Sequence, residues 1–513
     1  MSKKDPKKPE HRFSLRGDNG VLISAPNGDV IQFDDSGLVL KLSDVVMRDI
    51  ADRLADFERG EVPLSETQDD SVGSSQQVSL IDADVLGDID AWHVVQNGEW
   101  FLFQANLKNG NGPRGYRMPV SGGDIVADTP GAVLGVLSIG GPRRATGVEG
   151  IGCFPYHVVA PNDDIGAVGL VGTETAQVAS GVSTLREQTR DSLIAEAVLR
   201  HRKTEHRGLP LIMARCEADQ STKPDELACG LAFDNFLVAA DTLRAVAKSM
   251  NKTARILAIG LDYCLEDVTS TDTQYRDGML ALMRKIELAL GEQGYRKPCF
   301  VSSFECGDLL SDLGCHTQAQ WELATNPAGF DLLFSAPGYM FEQNSYSRPT
   351  PESLAQMAEM DAFAIEAKQE SGLWCCPTFL LAERERDDNG QETHTIRVSA
   401  NALSELVIDP EPDFGSVDHA GFSLENVENA ARIVNVRPCP NVPLDILLEC
   451  DMAPEGDNMK LRYACGQIAQ REVPADHVDF PHNRGGIRDE WQAESASGRQ
   501  LYRWALPCVL PVH

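Results

Sequence analysis

No stretch of this sequence approaches the roughly 18 consecutive apolar residues that span a bilayer, so no membrane insertion is expected. The opening residues, MSKKDPKKPEHR, lack the apolar centre of a signal peptide, and the reading is of a chain assembled in the cytoplasm. Basic residues are scarce: 46 Lys and Arg stand against 77 Asp and Glu, a formal charge of −31. A surface this acidic repels phosphate backbones, which excludes direct nucleic-acid binding from the expectations. The four lysines among residues 3–8 form a basic cluster read as a solvated tail. The 13 cysteines are odd in number and contain no C-x-x-C pair, so neither a zinc ribbon nor a thioredoxin-like site is indicated; they are read as reduced thiols in the interior. His201 and His206 are five apart and point to different sides of a helix. Neither a metal nor a cofactor is expected.

What is present is ordinary globular material. The 513 residues suffice for about three domains, and 42% apolar residues can fill sizeable cores. Asn19-Gly20, Asn27-Gly28 and Ser36-Gly37 punctuate VLIS, DVIQF and LVLKL, a series of short strands joined by tight turns. The stretch SDVVMRDIADRLADFERG reads as a helix whose Met47, Ile50, Leu54 and Phe57 form an a/d stripe, packed on its own domain or serving as an oligomer seam. Residues 1–60 are therefore assigned to attachment or oligomerisation, 61–79 to a polar linker and 80–160 to a small β domain. Trp92, Trp100, Phe101, Phe103 and Tyr116 in that domain are read as core or as sugar-stacking aromatics. From about residue 164, apolar runs of strand length (IGAVGLVG, LPLIMARCEA, ARILAIGLDYC, KPCFVSSFE, FDLLFSAPGY) are separated by amphipathic helical stretches, an alternation that predicts a parallel sheet covered by helices over 161–436. Short strands such as DILLECDM and KLRYACGQ then predict a C-terminal β module over 437–513.

Within the alternating region, the run ending at Val171 meets Gly172, Thr173 and Glu174, at a place where α/β proteins mount reacting groups. LDYCLED (261–267) precedes a helix containing Tyr275, and SVDH (416–419) precedes AGFSLENVENAARI. This order of elements resembles the SGNH (GDSL-like) hydrolases, in particular carbohydrate O-acetylesterases with a Gly-Gln-Ser nucleophile turn. The resemblance implies an α/β fold, a three-layer α/β/α parallel-sheet domain with an N-terminal β-rich region and a C-terminal β module. It also implies a Ser-His-Asp set beside an oxyanion hole.

Carried onto this chain, the nucleophile turn falls on Gly172, Thr173 and Glu174, with a carboxylate where the hydroxyl belongs. In the second block Asp267 and Tyr275 are retained, while Cys264 and Leu265 stand in place of Gly-Glu. In the last, His419 is retained and Ser416 replaces the Asp, with Asp413 and Asp418 nearby but off the family spacing. The resemblance thus implies a degenerate site at Glu174, Asp267 and His419, with Gly172 and Thr173 as further ligand-binding positions. A register shift would put the nucleophile on Ser180 or Ser183. The element HNRGGIRDEW (482–491) resembles one in hydrolase-like proteins of phages and phage-derived particles, with Arg484, Arg488 and Asp489 able to form an ion-paired turn.

Taken together, these resemblances imply a surface protein of a virion or gene transfer agent, a head spike or tail fibre. Its partners would be capsid or tail proteins, further copies of itself in a homo-oligomer, and a host surface polysaccharide. Two alternatives stay open: a working carbohydrate O-acetylesterase with a displaced triad, and a structural assembly protein without glycan binding.

Overall fold

A computed structural model describes residues 79–513 apart from 81–82, 111, 221–222, 266, 268, 307–315, 345–346, 388 and 467–476; ahead of these it describes the strands Val21–Ala25, Gly28–Asp34 and Gly37–Leu40. The chain divides into two compact units, residues 1–75 and 76–513. In the first unit the three strands pair antiparallel in chain order. The helix expected over SDVVMRDIADRLADFERG and the linker at 61–79 lie outside the described residues, save for Ser79 at the start of a short strand.

The largest sheet of the second unit is built around the strand Val133–Gly140. On one side run Ile212–Ala218 and Val158–Pro161, parallel to it, with Val182–Thr184 antiparallel at the edge. On the other side follow Ala254–Gly260, Phe300–Phe304 and Leu332–Pro337, all parallel. Every residue of Val133–Gly140 is buried, because successive side chains enter two different cores. Leu134 and Val136 pack with Ile194 and Val198 of the helix Arg190–Thr204 and with Ala362 and Ile365 of the helix Pro351–Gln369. Val133, Leu137 and Ile139 meet Phe236 and Leu243 of the helix Leu231–Ser249 and Met283 and Ile286 of the helix Asp272–Glu292.

The expected fold class does not hold. Strand outweighs helix, 33% against 24%, with six helices and several separate sheets among the described residues, and no clear three-layer parallel α/β/α domain results. The helix-flanked sheet is itself mixed, and the chain from Thr378 onward makes antiparallel sheets of its own. The physical reason is visible in the strand Glu392–Asn401, which buries only Ile396 and Val398. Half-exposed antiparallel strands alternate with period two and carry few apolar residues, so they do not register as apolar runs.

The expected divisions at 160 and 436 fall inside the second unit. AVLGVLSIGG, assigned to the small β domain, is the centre of the large sheet. By contrast, Ile165–Val171 contributes only the isolated bridge of Val168 to Cys216, since the amides of Ala167 and Val168 donate to Glu187 Oε1 (2.7 and 3.0 Å) instead of to a ladder. The small sheet, from Ser79 to Ala127, keeps Phe101, Phe103 and Tyr116 in its core, sends Trp100 into the large core and leaves Trp92 40% exposed. Of the described cysteines most are buried, but Cys153 and Cys229 are exposed.

Candidate functional site

In an open α/β sheet, ligands bind outside the carboxyl ends of the strands where the strand order reverses. Here the reversal lies at Val133–Gly140: the chain first builds to one side of it and then crosses to Ala254–Gly260 on the other. A small cavity of about 40 Å³, partly open to solvent, sits at these strand ends, lined among others by Arg143, Arg144, Arg190, Asp262, Ser303 and Gln343.

Local sequence explains how the charges reach this point. Thr189 caps the helix Arg190–Thr204 through a reciprocal pair with Ser192, which sets Arg190 and Asp191 at the first turn, against the strand ends. Gly260 ends its strand where a Cβ would stand 2.1 Å from Arg144 Nη2, so only glycine lets that guanidinium cross. Arg144 donates to Asp262 Oδ2 (2.5 Å) and Asp191 Oδ1 (2.6 Å), and the Ser138 hydroxyl donates to Asp191 Oδ2 (2.5 Å). Arg190 grips both oxygens of Asp361 (2.7 and 2.8 Å), bonds Asp262 Oδ2 (2.8 Å) and donates to Ser303 Oγ (2.7 Å). Asp262 Oδ1 also accepts from the Ser302 hydroxyl (2.9 Å) and the Ser303 amide (2.8 Å).

Burial works against the charge on Arg144, but Asp191, Asp262 and Asp361 outweigh it and hold the guanidinium charged. Burial likewise pushes the Asp262 carboxyl up, yet Arg190 and Arg144 bring it below the ordinary range. For Asp191 burial prevails over Arg144 and Ser138, and its carboxyl lies above the ordinary range. The two arginines and three aspartates thus pair with one another, while Arg144 Nε is buried without a hydrogen-bond partner. Nucleophilic catalysis needs a base within reach of the nucleophile, whereas the oxygen of Ser303 faces the cation of Arg190.

The residues expected to carry the site fall elsewhere. Gly172 takes φ +66° and Thr173 closes a turn on the Leu170 carbonyl through its amide (3.1 Å) and hydroxyl (2.6 Å). Glu174 is exposed, and its carbonyl accepts from Asn235 Nδ2 (2.8 Å) on the helix Leu231–Ser249. Asp267 is buried; its Oδ1 accepts from the amides of Thr269 (3.1 Å) and Ser270 (2.9 Å), shaping the entry to the helix Asp272–Glu292. The imidazole beside Asp267 is that of His316, whose Nε2 meets the Asp267 carbonyl at 2.8 Å while its ring stacks on Tyr275 at 4.6 Å. Burial disfavours charge on His316, but Asp272 and Asp267 prevail and raise its affinity for a proton. His419 is exposed in the turn Asp418–Gly421, in the antiparallel part of the chain. Ser180 is exposed, and Ser183 pairs with Ala160 on the edge strand.

The motif HNRGGIRDEW makes structural contacts. Arg488 pairs with Asp409 (3.3 Å) and lies over Tyr502 (4.1 Å), while Asp489 holds Arg503 (2.6 Å); the two motif residues do not pair side chain to side chain. Arg143, Arg144, Arg190, Asp262 and Ser303 escaped the sequence reading. The signal for the first two was present: Gly140, Gly141, Pro142, Arg143 and Arg144 follow directly on the apolar run of the central strand.

No family model matches the chain, and no curated protein matches it. Among solved structures, the N-terminal part of the bacterial S-layer protein SbsC aligns over 56% of this chain and 70% of that chain, at 9% identity and a TM-score of 0.13, a likeness too low to bear on fold or function.

Proposed function

We propose that this chain is a surface protein of a phage-like particle that binds a cell-surface polysaccharide and does not turn it over. The observation that carries the reading is the strand-end network of paired charges. Arg144, Arg190, Asp191, Asp262 and Asp361 pair among themselves, and the Ser303 oxygen at the cavity wall accepts from Arg190. The attachment role proposed for residues 1–60 falls within the first compact unit, residues 1–75.

The test is paired. Purified full-length protein should leave aryl acetates and acetylated sugars unhydrolysed above background, and a multimerised form should bind polysaccharide. A single sugar site gives millimolar to micromolar affinity, and an array of copies raises it by about 10² to 10⁴. Turnover that disappears in Ser303→Ala, Ser180→Ala or Ser183→Ala would replace this reading with an active esterase.

A further inference from the structure

A second concavity lies away from the strand ends, between the helices Arg190–Thr204 and Pro351–Gln369 and the strand Ile487–Glu494. It is an open groove of about 640 Å³. Three aromatic rings stand in it edge to face: Trp491 meets Phe363 at 5.2 Å and Trp374 at 4.9 Å, with interplanar angles of 75° and 80°. The Arg503 guanidinium lies 5.3 Å from the Trp374 ring and 5.7 Å from that of Trp491, fixed there by the fully buried Asp489. The Asp-Glu-Trp end of HNRGGIRDEW is therefore what assembles the aromatic wall, Asp489 as anchor and Trp491 as surface.

An independent observation comes from Glu359, which lines the groove and is 5% exposed. Its Oε1 accepts from Arg200 Nη1 (2.6 Å) and the Ala496 amide (3.0 Å), while its Oε2 is buried without a hydrogen-bond partner. A buried acceptor left open beside a groove calls for a donor from outside.

Resting on the polysaccharide-binding reading above, we propose that this groove is the saccharide site, and that it takes neutral or amine-bearing pyranoses rather than uronic or sulfated ones. Aromatic faces pack against the C–H face of a pyranose, and planar carboxylates and guanidinia bond its hydroxyls. The glutamates Glu205, Glu359, Glu366, Glu370 and Glu494 outnumber the arginines beside them, Arg200, Arg207 and Arg503, so an anionic sugar is repelled.

The experiment displays the full chain in many copies on an array of neutral, amino-sugar and uronate-containing oligosaccharides. Trp491→Ala and the shape-preserving Glu359→Gln should each weaken binding at least tenfold, and Trp92→Ala, on the small sheet, should not. If both groove variants bind as the wild type does, the groove is not the site while the polysaccharide reading stands. Wild-type protein that binds nothing on the array overturns both, and a preference for uronates overturns the assignment of sugar class.

Discussion

Replacing Arg190 by Met tests whether the strand-end network holds the fold together. Arg190 is 3% exposed and is the group that grips both oxygens of the fully buried Asp361. Removing one member of a buried ion pair typically costs about 3–5 kcal/mol, because the other charge is left in a medium that cannot solvate it. A ceiling follows from the alternative open to the orphaned carboxyl, which is to take a proton. An aspartate ordinarily titrates near 3.9, so protonation at pH 7 costs about 4 kcal/mol. A loss of about 3–4 kcal/mol at pH 7 is therefore expected, read as a fall in the denaturant midpoint at unchanged slope. The sign with pH is fixed too. In the variant the folded state binds up to one proton more than the unfolded state above pH 4, so its deficit shrinks as pH falls, by about 1.5–2.5 kcal/mol between pH 7 and pH 5. Adding Asp361→Leu removes the orphan and should restore at least half of the loss at pH 7. A single variant within about 1 kcal/mol of the wild type, or a deficit that does not change with pH, would refute this account.

His157 is 4% exposed, meets the Pro210 carbonyl through Nδ1 (3.1 Å), and burial lowers its proton affinity from 6.5 to about 4. The unfolded chain then binds more protons between those values, so stability falls as pH drops from 6.5 towards 4; His157→Gln should lose about 2–3 kcal/mol less than the wild type between pH 7 and 4.5, and parallel pH profiles would count against it. Gly485 is where a Cβ would stand 2.1 Å from the Tyr463 hydroxyl, whose ring is held between Phe379 (4.9 Å) and Phe422 (4.8 Å). Gly485→Ala should cost about 1–3 kcal/mol in a thermal or denaturant melt, whereas Gly208→Ala, at open space, should be near neutral; equal effects would show that the close approach is not what selects glycine.

The amphipathic helices were legible because their apolar spacing is a local property: the stretches FDNFLVAADTLRAVAKSMNK and QYRDGMLALMRKIELALGEQG contain most of Leu231–Ser249 and most of Asp272–Glu292. The four apolar runs from Leu209 to Tyr339 likewise contain strands of the large sheet. Composition also limited the partners, since a charge of −31 opposes polyanions whatever the fold. Pairing was a different matter. Val133–Gly140 and Ile165–Val171 are both short apolar runs beside glycines, yet the first is central to the sheet and the second meets it only at the bridge of Val168 to Cys216, two of its amides going to Glu187. No local pattern separates them, because a strand exists only through neighbours that supply its hydrogen bonds. The same holds for the sites. Arg144, Asp191, Asp262 and Asp361 are far apart in the chain, and so are Trp374, Trp491 and Arg503; only tertiary packing brings each set within bonding distance, burying the charges of the first and facing the rings of the second into an open groove.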